Sequence, residues 1–494
     1  MAEYKHGAYG VTQAVGTRVA SGSAGAIVYV GTAPVHNVDG GGKNVNVPMV
    51  VNNISEARKL FGYSEEWDKY TLCEAMHVHL ENKGVGPLIF INVLDPAKHK
   101  STETGNVSKT PENGRVVIPA AQDIILDTLA VKAGSTAKVK GKDYDVAYNI
   151  ERKSITIAEK KKGGLGTAEL TITYSSVDAT MVDKDDVIGE SDGLGMNTGL
   201  FAVKNVYQMT GYIPAYLAAP GFSSDTAVHA AMYQNSVKIN SHWDAYLFAD
   251  LPLMDGSTAL TLDAAATYKA ANGYTHENET VFFPMASGND GRRYHLSVLA
   301  AANFQELLIA QDGIPYKTAS NTDCAVIESL YLGANNAGRV YDDEIINEKL
   351  NRNGIASAAF VGGRWALWGC HSGDYSEETG DQINVSETNR MMLYYISNDF
   401  QNRRAGDVDK PMTSNDLQTI IAEEQTRLDA LLNIGALTRG VVSLNADADS
   451  RSDIMNGDYS FLFDVTTTPL AKSLTAVVNW TDAGFATYFE AAAD

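Results

Sequence analysis

Apolar positions recur along this chain with two different periods, and the period changes in blocks. Near the start the apolar runs are short and continuous. Gly25 to Pro34 (GAIVYVGTAP) predicts a buried strand ending in a turn, and Asn44 to Val51 a second strand-like run. Ile54 to Phe61 and Thr71 to Asn82 carry helical spacing, the first with Asn53 or Ser55 near its start. Pro87 to Leu94 is again a continuous apolar strand. Strand, helix, helix, strand predicts an α/β layer. Residues 1–20 hold Gly7, Gly10 and Gly16 among small and β-branched residues, with too few large apolar groups to fold alone. They read as an extended arm, with a frayed terminus as the alternative.

From Asp95 to about Val203 the period shortens to two. Runs such as Ala137 to Lys140, Asp143 to Tyr148, Ser154 to Ala158 and Ala168 to Tyr174 alternate between turn residues. Regularly spaced short strands predict a small β-sandwich or barrel. It reads as an insertion, because the α/β pattern then resumes. Strands are predicted at Ala215 to Ala219, Asp244 to Asp250, Thr280 to Pro284, Ala356 to Val361 and Arg364 to Trp368. Helices are predicted between them at Asp225 to Asn240, Leu262 to Asn272, His295 to Asp312 and Asp342 to Asn351. Such alternation predicts an open α/β sheet.

The C-terminal quarter, Val385 to Phe489, has a different grammar. An apolar stretch, Met391 to Phe400, leads into a predicted loop, Gln401 to Met412, carrying Arg403 and Arg404. The strongest helix follows, Ser414 to Ile434, with Leu417, Ile420, Ile421, Leu428, Leu431 and Leu432 on one stripe. Thr413 and Asp416 stand as N-cap and N3 acid, and Gly435 ends the helix. Strand-like runs follow at Arg439 to Leu444, Tyr459 to Val465 and Ser473 to Trp480. So few strands make a poor independent sheet, since three or more are usually needed. Either an upstream strand completes this module or another chain does.

Composition narrows the classes. At 494 residues, with 44% of them apolar, the chain can build real cores. No run approaches the roughly 20 apolar residues of a membrane span. The N-terminus, MAEYKHGAYG, has no apolar signal core and is expected not to direct export. Cys73, Cys324 and Cys370 are odd in number and far apart, which argues against a disulfide framework and for folding in a reducing compartment. Against 60 acidic side chains stand 39 basic ones, a net charge of −21. A nucleic-acid binder wants the opposite sign over its footprint. Local basic patches exist, such as Lys160 to Lys162, but that one sits beside Gly163 and Gly164 and reads as a solvated turn.

Candidate chemistry is sparse. Gly42-Lys43 lacks the other positions of a phosphate loop, and Gly193-Leu194-Gly195 with Gly199 misses the dinucleotide spacing. Cys73, His77 and His79 lack further metal ligands at a usable spacing. Cys370-His371 are adjacent, whereas catalytic pairs meet in space. Asp447, Asp449 and Asp453 alternate as in a calcium loop, but Arg451, Ser452 and Asp458 stand where ligands, the turn glycine and the bidentate glutamate belong. No catalytic, cofactor-binding or metal site is expected, and an enzyme is the weaker class.

Ordered segments across the chain resemble contractile tail sheath proteins of bacteriophages and related injection systems. They are KHGAYGVT (Lys5 to Thr12), GAIVYVGTAPVHN, VNVPMVVNNISEARKLFG (Val45 to Gly62) and PLIFINVLDP. PMASGNDG (Pro284 to Gly291), DGIPYKTASN (Asp312 to Asn321), LNRNGIASA (Leu350 to Ala358) and GGRWALWG (Gly362 to Gly369) follow. INVSETNRMMLYYISNDF (Ile383 to Phe400), the long helix and IGAL (Ile434 to Leu437) complete the set. Two segments depart from the family pattern. Cys370-His371-Ser372 replaces an arginine-threonine pair, and GDVDKPM (Gly406 to Met412) replaces an aromatic-rich turn.

The resemblance implies an α/β and α+β multidomain protein. It implies an arm at 1–20, an α/β core from 21–95 and 204–370, and an outward-facing β insert at 96–203. A C-terminal α/β polymerisation module at 371–472 and a C-terminal arm at 473–494 would follow. Strands from neighbouring subunits would complete that module. Tyr4, Lys5, His6, Gly7, Tyr9, Val11 and Val15 would exchange from the N-terminal arm. Leu474, Ala476, Val477, Val478 and Trp480 would exchange from the C-terminal arm. Arg390, Tyr394, Phe400, Leu417, Ile421, Leu428 and Leu432 would form the module's core and polymerisation surface.

The implied function is mechanical. Stacked hexameric rings would surround an inner tail tube and contract to drive it through a host envelope for genome delivery. The partners implied are like subunits, the tube protein, and baseplate and terminator proteins, with no nucleic acid and no membrane insertion. The implied location is the virion tail, after assembly in the host cytoplasm. A phage-derived contractile bacteriocin or injection sheath and a static surface-layer-like protein are the alternatives.

Overall fold

In the computed structural model, which describes residues 25–333, 341–377, 382–445 and 451–485, the continuous apolar runs become neighbouring strands of one sheet. In chain order these are β1 (Ala26–Gly31), β2 (Met49–Val51), β3 (Leu88–Asn92), β4 (Pro214–Ala218), β5 (Tyr246–Asp250), β6 (Glu279–Phe282), β7 (Ile355–Val361) and β8 (Arg364–Trp368). Across the sheet they run β2-β3-β1-β4-β5-β6-β7-β8. The six inner strands are parallel, and β2 and β8 close the two edges antiparallel. Both faces are covered, which is why β1, β3 and β5 are apolar at nearly every position and wholly buried. One face packs Tyr29, Phe90, Tyr216, Phe248 and Phe304. The other packs Val28, Val30, Ile89, Leu217, Met232 and Leu247.

Capping fixes the helices locally. Asn53 accepts the Glu56 N–H at 2.9 Å and starts α1 (Ile54–Phe61). Asp225 caps α2 (Thr226–Gln234) and Thr261 caps α3 (Leu262–Ala271). The helix α4 (Leu296–Ala310) is buried along its whole first ten residues and turns Glu306, Ile309 and Ala310 to the surface at its end. Three expectations shorten or change form. The helix from Asp225 stops at Gln234, because Lys238, Asn240 and Ser241 take positive φ and the Asp244 carboxylate accepts from the Lys238 N–H at 2.9 Å. The strand expected from Asn44 begins only at Met49, since Gly41–Asn44 is a 3-10 turn and Asn46 has φ +57°. The Thr71 helix widens into a π-helix over Met76–Lys83.

The period-two block forms two small antiparallel sheets between β3 and β4. Lys100–Lys109, Leu170–Val177, Ala130–Ala133 and Thr136–Lys138 make one; Arg115–Ile118, Ser154–Glu159 and Tyr144–Asn149 make the other. They share a core of their own, including Val116, Ile118, Val131, Ile155, Ile157, Leu170 and Ile172.

The chain divides into two compact units, Met1–Pro411 and Met412–Asp494. This boundary lies well beyond the one expected near residue 371. The helix α5 (Glu387–Arg404) belongs to the first unit, and Arg403 and Arg404 form its last turn in place of the expected loop. Its polar side chains find partners on the sheet and on the segments beside it. Asn398 accepts the Asp244 N–H at 3.1 Å and donates to the Asp244 carbonyl at 2.8 Å. Glu387, wholly buried, accepts from Thr280 Oγ1 at 2.7 Å and Thr318 Oγ1 at 2.6 Å. Burial pushes the Glu387 carboxyl pKa upward.

Candidate assembly surface

The second unit is a helix laid on a hairpin. The helix α6 (Ser414–Asn433) opens with the expected capping box: Thr413 Oγ1 accepts the Asp416 N–H, and the Asp416 carboxylate accepts the Thr413 N–H at 2.8 Å. Gly435, at φ +77°, turns the chain out of the helix. The strands β9 (Leu437–Leu444) and β10 (Phe461–Thr467) then pair antiparallel. Ile420, Leu428, Leu431, Ala436, Leu437 and Val442 are the buried apolar positions. Leu417, Ile421 and Leu432 are only half-buried, and the stripe includes Glu424, a buried acid that the apolar pattern does not flag.

Among the described residues this sheet has two strands. The third run, expected as a strand over Ser473 to Trp480, joins no ladder among the described residues. Here Leu474 and Val478 are 90% exposed, Val477 80% and Trp480 81%, and Ala476 is exposed too. A strand needs a neighbour, and nothing within the described chain supplies one. Four large apolar side chains in seven residues, all facing water, form an unusual surface feature.

The other expected residues fall in three places. Tyr4, Lys5, His6, Gly7, Tyr9, Val11 and Val15 lie outside the described residues. Arg390, Tyr394 and Phe400 sit on α5 in the first unit. Arg390 Nη2 reaches Glu277 at 2.6 Å, and burial raises the Tyr394 hydroxyl pKa. Leu417, Ile421, Leu428 and Leu432 lie on α6 of the second unit.

The titratable groups of the first unit's core are tied to one another. His79 bonds Tyr29 Oη at 2.7 Å and Gln305 Oε1 at 2.6 Å, and burial pulls its pKa down to about 4. His229 meets Glu279 at 2.5 Å. The His295 ring meets Glu74 at 2.6 Å. Burial alone would depress His295, but the Glu74 carboxylate overrides it and holds the pKa at about 9. The candidate metal set does not converge: Cys73 Sγ accepts from the Ser64 N–H, His77 turns to Glu81, and His79 turns to Tyr29. His371 stacks on Tyr375 at 3.7 Å and bonds the Val385 carbonyl at 2.5 Å. Asp447 and Asp449 lie outside the described residues, and Asp453 falls in the helix Arg451–Asn456. Among the described residues, no group of three or more His, Cys, Asp or Glu side chains could hold a metal ion, and no helix is long and apolar enough to cross a membrane.

Comparison with known proteins places this architecture. A crystal structure of the sheath tail protein of Desulfitobacterium hafniense superposes over 93% of this chain and 100% of its own, with a TM-score of 0.52 at 10% identity. The chain has the tail sheath fold. A chain of the anti-feeding prophage baseplate, solved by six-fold-symmetrised cryo-EM, shares that fold over 97% of this chain and 100% of its own, with a TM-score of 0.55 at 14% identity. In sequence, the tail sheath protein of Burkholderia phage BcepMu is 28% identical over 256 residues, covering 51% of this chain. The match takes in about half the length of that curated relative, 50%. No family model matches the chain.

Proposed function

We propose that this protein is the structural subunit of a contractile tail sheath. Copies stack as six-membered rings around an inner tube, and the stack shortens to drive the tube through a target envelope. The observation that carries this reading is the pairing of the sheath fold with an apolar terminal stretch, Leu474 to Trp480, that stands in water without a ladder. Such a stretch is suited to complete the sheet of another copy, since main-chain hydrogen bonds and alternate side chains together hold an added strand. Head-to-tail exchange of this kind generates open helical assemblies. The residues 4–15 act as a second donor in this reading. The six-fold symmetry stated for the baseplate relative supports the ring number.

Contraction is a change of lattice, with each subunit rotating largely as a body and its terminal arms absorbing the movement. No catalytic residue, nucleotide or metal enters the cycle; the energy comes from more extensive packing between subunits in the shorter lattice. The tube, baseplate and terminator proteins are the partners, and the particle is the site of action. Electron microscopy of the purified protein tests the proposal. Sleeves of two diameters and two axial repeats are expected, and a chain lacking residues 1–20 should stay folded but form none. Normal polymers from the truncated chain would remove the arm from the mechanism. Compact particles with no sleeves at any concentration would remove the sheath. A sheath from a phage and one from an injection particle differ in cargo, so nucleic acid in the purified particle separates them.

A further inference from the structure

Glu387, at the start of α5, has hydroxyls for neighbours where a buried ion needs a cation. Thr280 and Thr318 donate to its two oxygens. Thr318 Oγ1 in turn accepts the Ser320 N–H at 2.9 Å, and Tyr246 Oη stands 3.0 Å from Thr280 Oγ1. The carboxyl also borders a cavity of about 10 Å³, room for one water, whose wall includes Ser320, Ser357, Phe248, Phe282 and Leu367. Ser357 is fully buried, and its Oγ has no hydrogen-bond partner among the described residues.

The charges around this site do not compensate an anion. From β5 comes Tyr246, and the charges that act on it besides Glu387 are Glu279 of β6 and Asp374, both acids. From β7, β8 and α4 the cavity meets Ser357, Leu367, Trp368 and Ala300, none of which titrates. On the adjoining segments, Cys370 meets Glu387 through its carbonyl, His371 turns to the Val385 carbonyl, and Lys317 lies over the Tyr316 ring. Arg390, one turn along α5, reaches Glu277. No cationic side chain among the described residues pairs with the Glu387 carboxyl.

Burying an unpaired charge is costly, and a carboxyl so placed takes up a proton instead. The N-terminus of α5 and the two threonines favour the anion, but burial outweighs them and pushes the carboxyl pKa up. Hydroxyls suit either form, since each can donate to a carboxylate or turn and accept from a carboxylic acid, which an N–H cannot do. The acid's own O–H then has an outlet, through one water in the cavity, to Ser357 Oγ.

We propose that Glu387 is un-ionised at neutral pH and works as a proton-held clasp. As a neutral acid it fastens the root of α5 to β6 and β7, and on losing its proton in alkali it lets that root loosen.

Urea unfolding of the dissociated full chain across pH tests this, comparing wild type with Glu387→Gln, which is neutral at every pH. The folded pKa lies above the ordinary 4.5, so the folded state holds the extra proton. Stability from the neutral carboxyl is complete below about pH 4.5 and is lost as pH rises through the folded value. The unfolding constant of wild type, divided by that of Glu387→Gln, should therefore climb by up to about tenfold per pH unit over that window. Hydrogen exchange across residues 387–398, corrected for the intrinsic rate, should lose protection over the same window in wild type only. At neutral pH the infrared difference spectrum, wild type minus variant, should carry the stretch of an un-ionised carboxyl. Thr318→Val removes a donor to the anion and should move the wild-type transition to higher pH, which keeps the test open should Glu387→Gln not fold. A ratio that stays flat or falls overturns the proposal, as does protection of 387–398 that ignores pH or a difference spectrum showing only carboxylate. So does stabilisation by sodium or potassium over equal choline that disappears in Glu387→Gln, because a bound cation would then balance the charge.

Discussion

Replacing Asn398 by alanine isolates the attachment of α5. In the native chain the Asn398 side chain is 4% exposed and makes two bonds to one residue, from the Asp244 N–H and to the Asp244 carbonyl. Asp244 is itself only 5% exposed, so water does not reach these groups freely. Asn398→Ala strands one buried donor and one buried acceptor. Each costs about 1–3 kcal/mol when left unmade, so the pair is worth about 3 kcal/mol toward the lower end of the summed range. That is roughly a hundredfold in the unfolding equilibrium of the first unit. The assay is urea unfolding of dissociated protein, followed by hydrogen exchange across residues 242–250 and, separately, across α6. The first unit should lose about 3 kcal/mol and the 242–250 peptide its protection, while α6 exchanges as before. A loss below about 0.5 kcal/mol, or a matching loss in α6, would show that α5 is not held by the sheet in the way its hydrogen bonds indicate.

Three further perturbations read other parts of the molecule. Val477→Pro and Val478→Pro remove a ladder donor each at positions 80% and 90% exposed; thermal midpoints of dissociated protein should not move, whereas sedimentable polymer should fall sharply, and unchanged yield from both rules out a shared strand there. Leu428→Ala hollows the small core of the second unit, where Leu428 is 2% exposed, and should destabilise that unit by about 2–4 kcal/mol, seen as faster exchange across β9 and β10 with the first unit unaffected. His295 carries a pH signature. Its folded pKa of about 9 exceeds the usual 6.5, so its contribution is complete below about pH 6.5 and is lost as pH rises through 9. The difference in unfolding free energy between wild type and His295→Gln should shrink over that window; a constant difference contradicts the charged pair with Glu74.

Much of the fold is legible in the sequence because it is written in near neighbours. Thr413 with Asp416, Gly435, and the continuous apolar runs of β1, β3 and β5 each announce their element within a few residues. What stays hidden depends on distant partners. Asn398 and Glu387 look like surface residues of an amphipathic stretch until Asp244, Thr280 and Thr318 are brought to them. The short helix ending at Gln234 reflects Asp244 capturing the Lys238 N–H, which no periodicity reveals. The apolar stripe of α6 marks Ile420, Leu428 and Leu431 correctly, yet Gln425, the residue that meets the strand edge, is invisible among polar positions. Its only local sign is Gly440, a glycine within a strand, which marks a close approach without naming what approaches.

The exposed stretch after β10 also sets a length scale. From Thr468 to Asp482 the chain, if drawn out fully, spans about 50 Å. A strand anchored in one copy and rooted in another works as a leash. It lets two subunits turn and slide while forbidding them to separate beyond its length. In the proposed strand-exchanged sheath, any rearrangement of the lattice would be confined to a fixed neighbourhood, and every subunit that moved would carry its neighbour along.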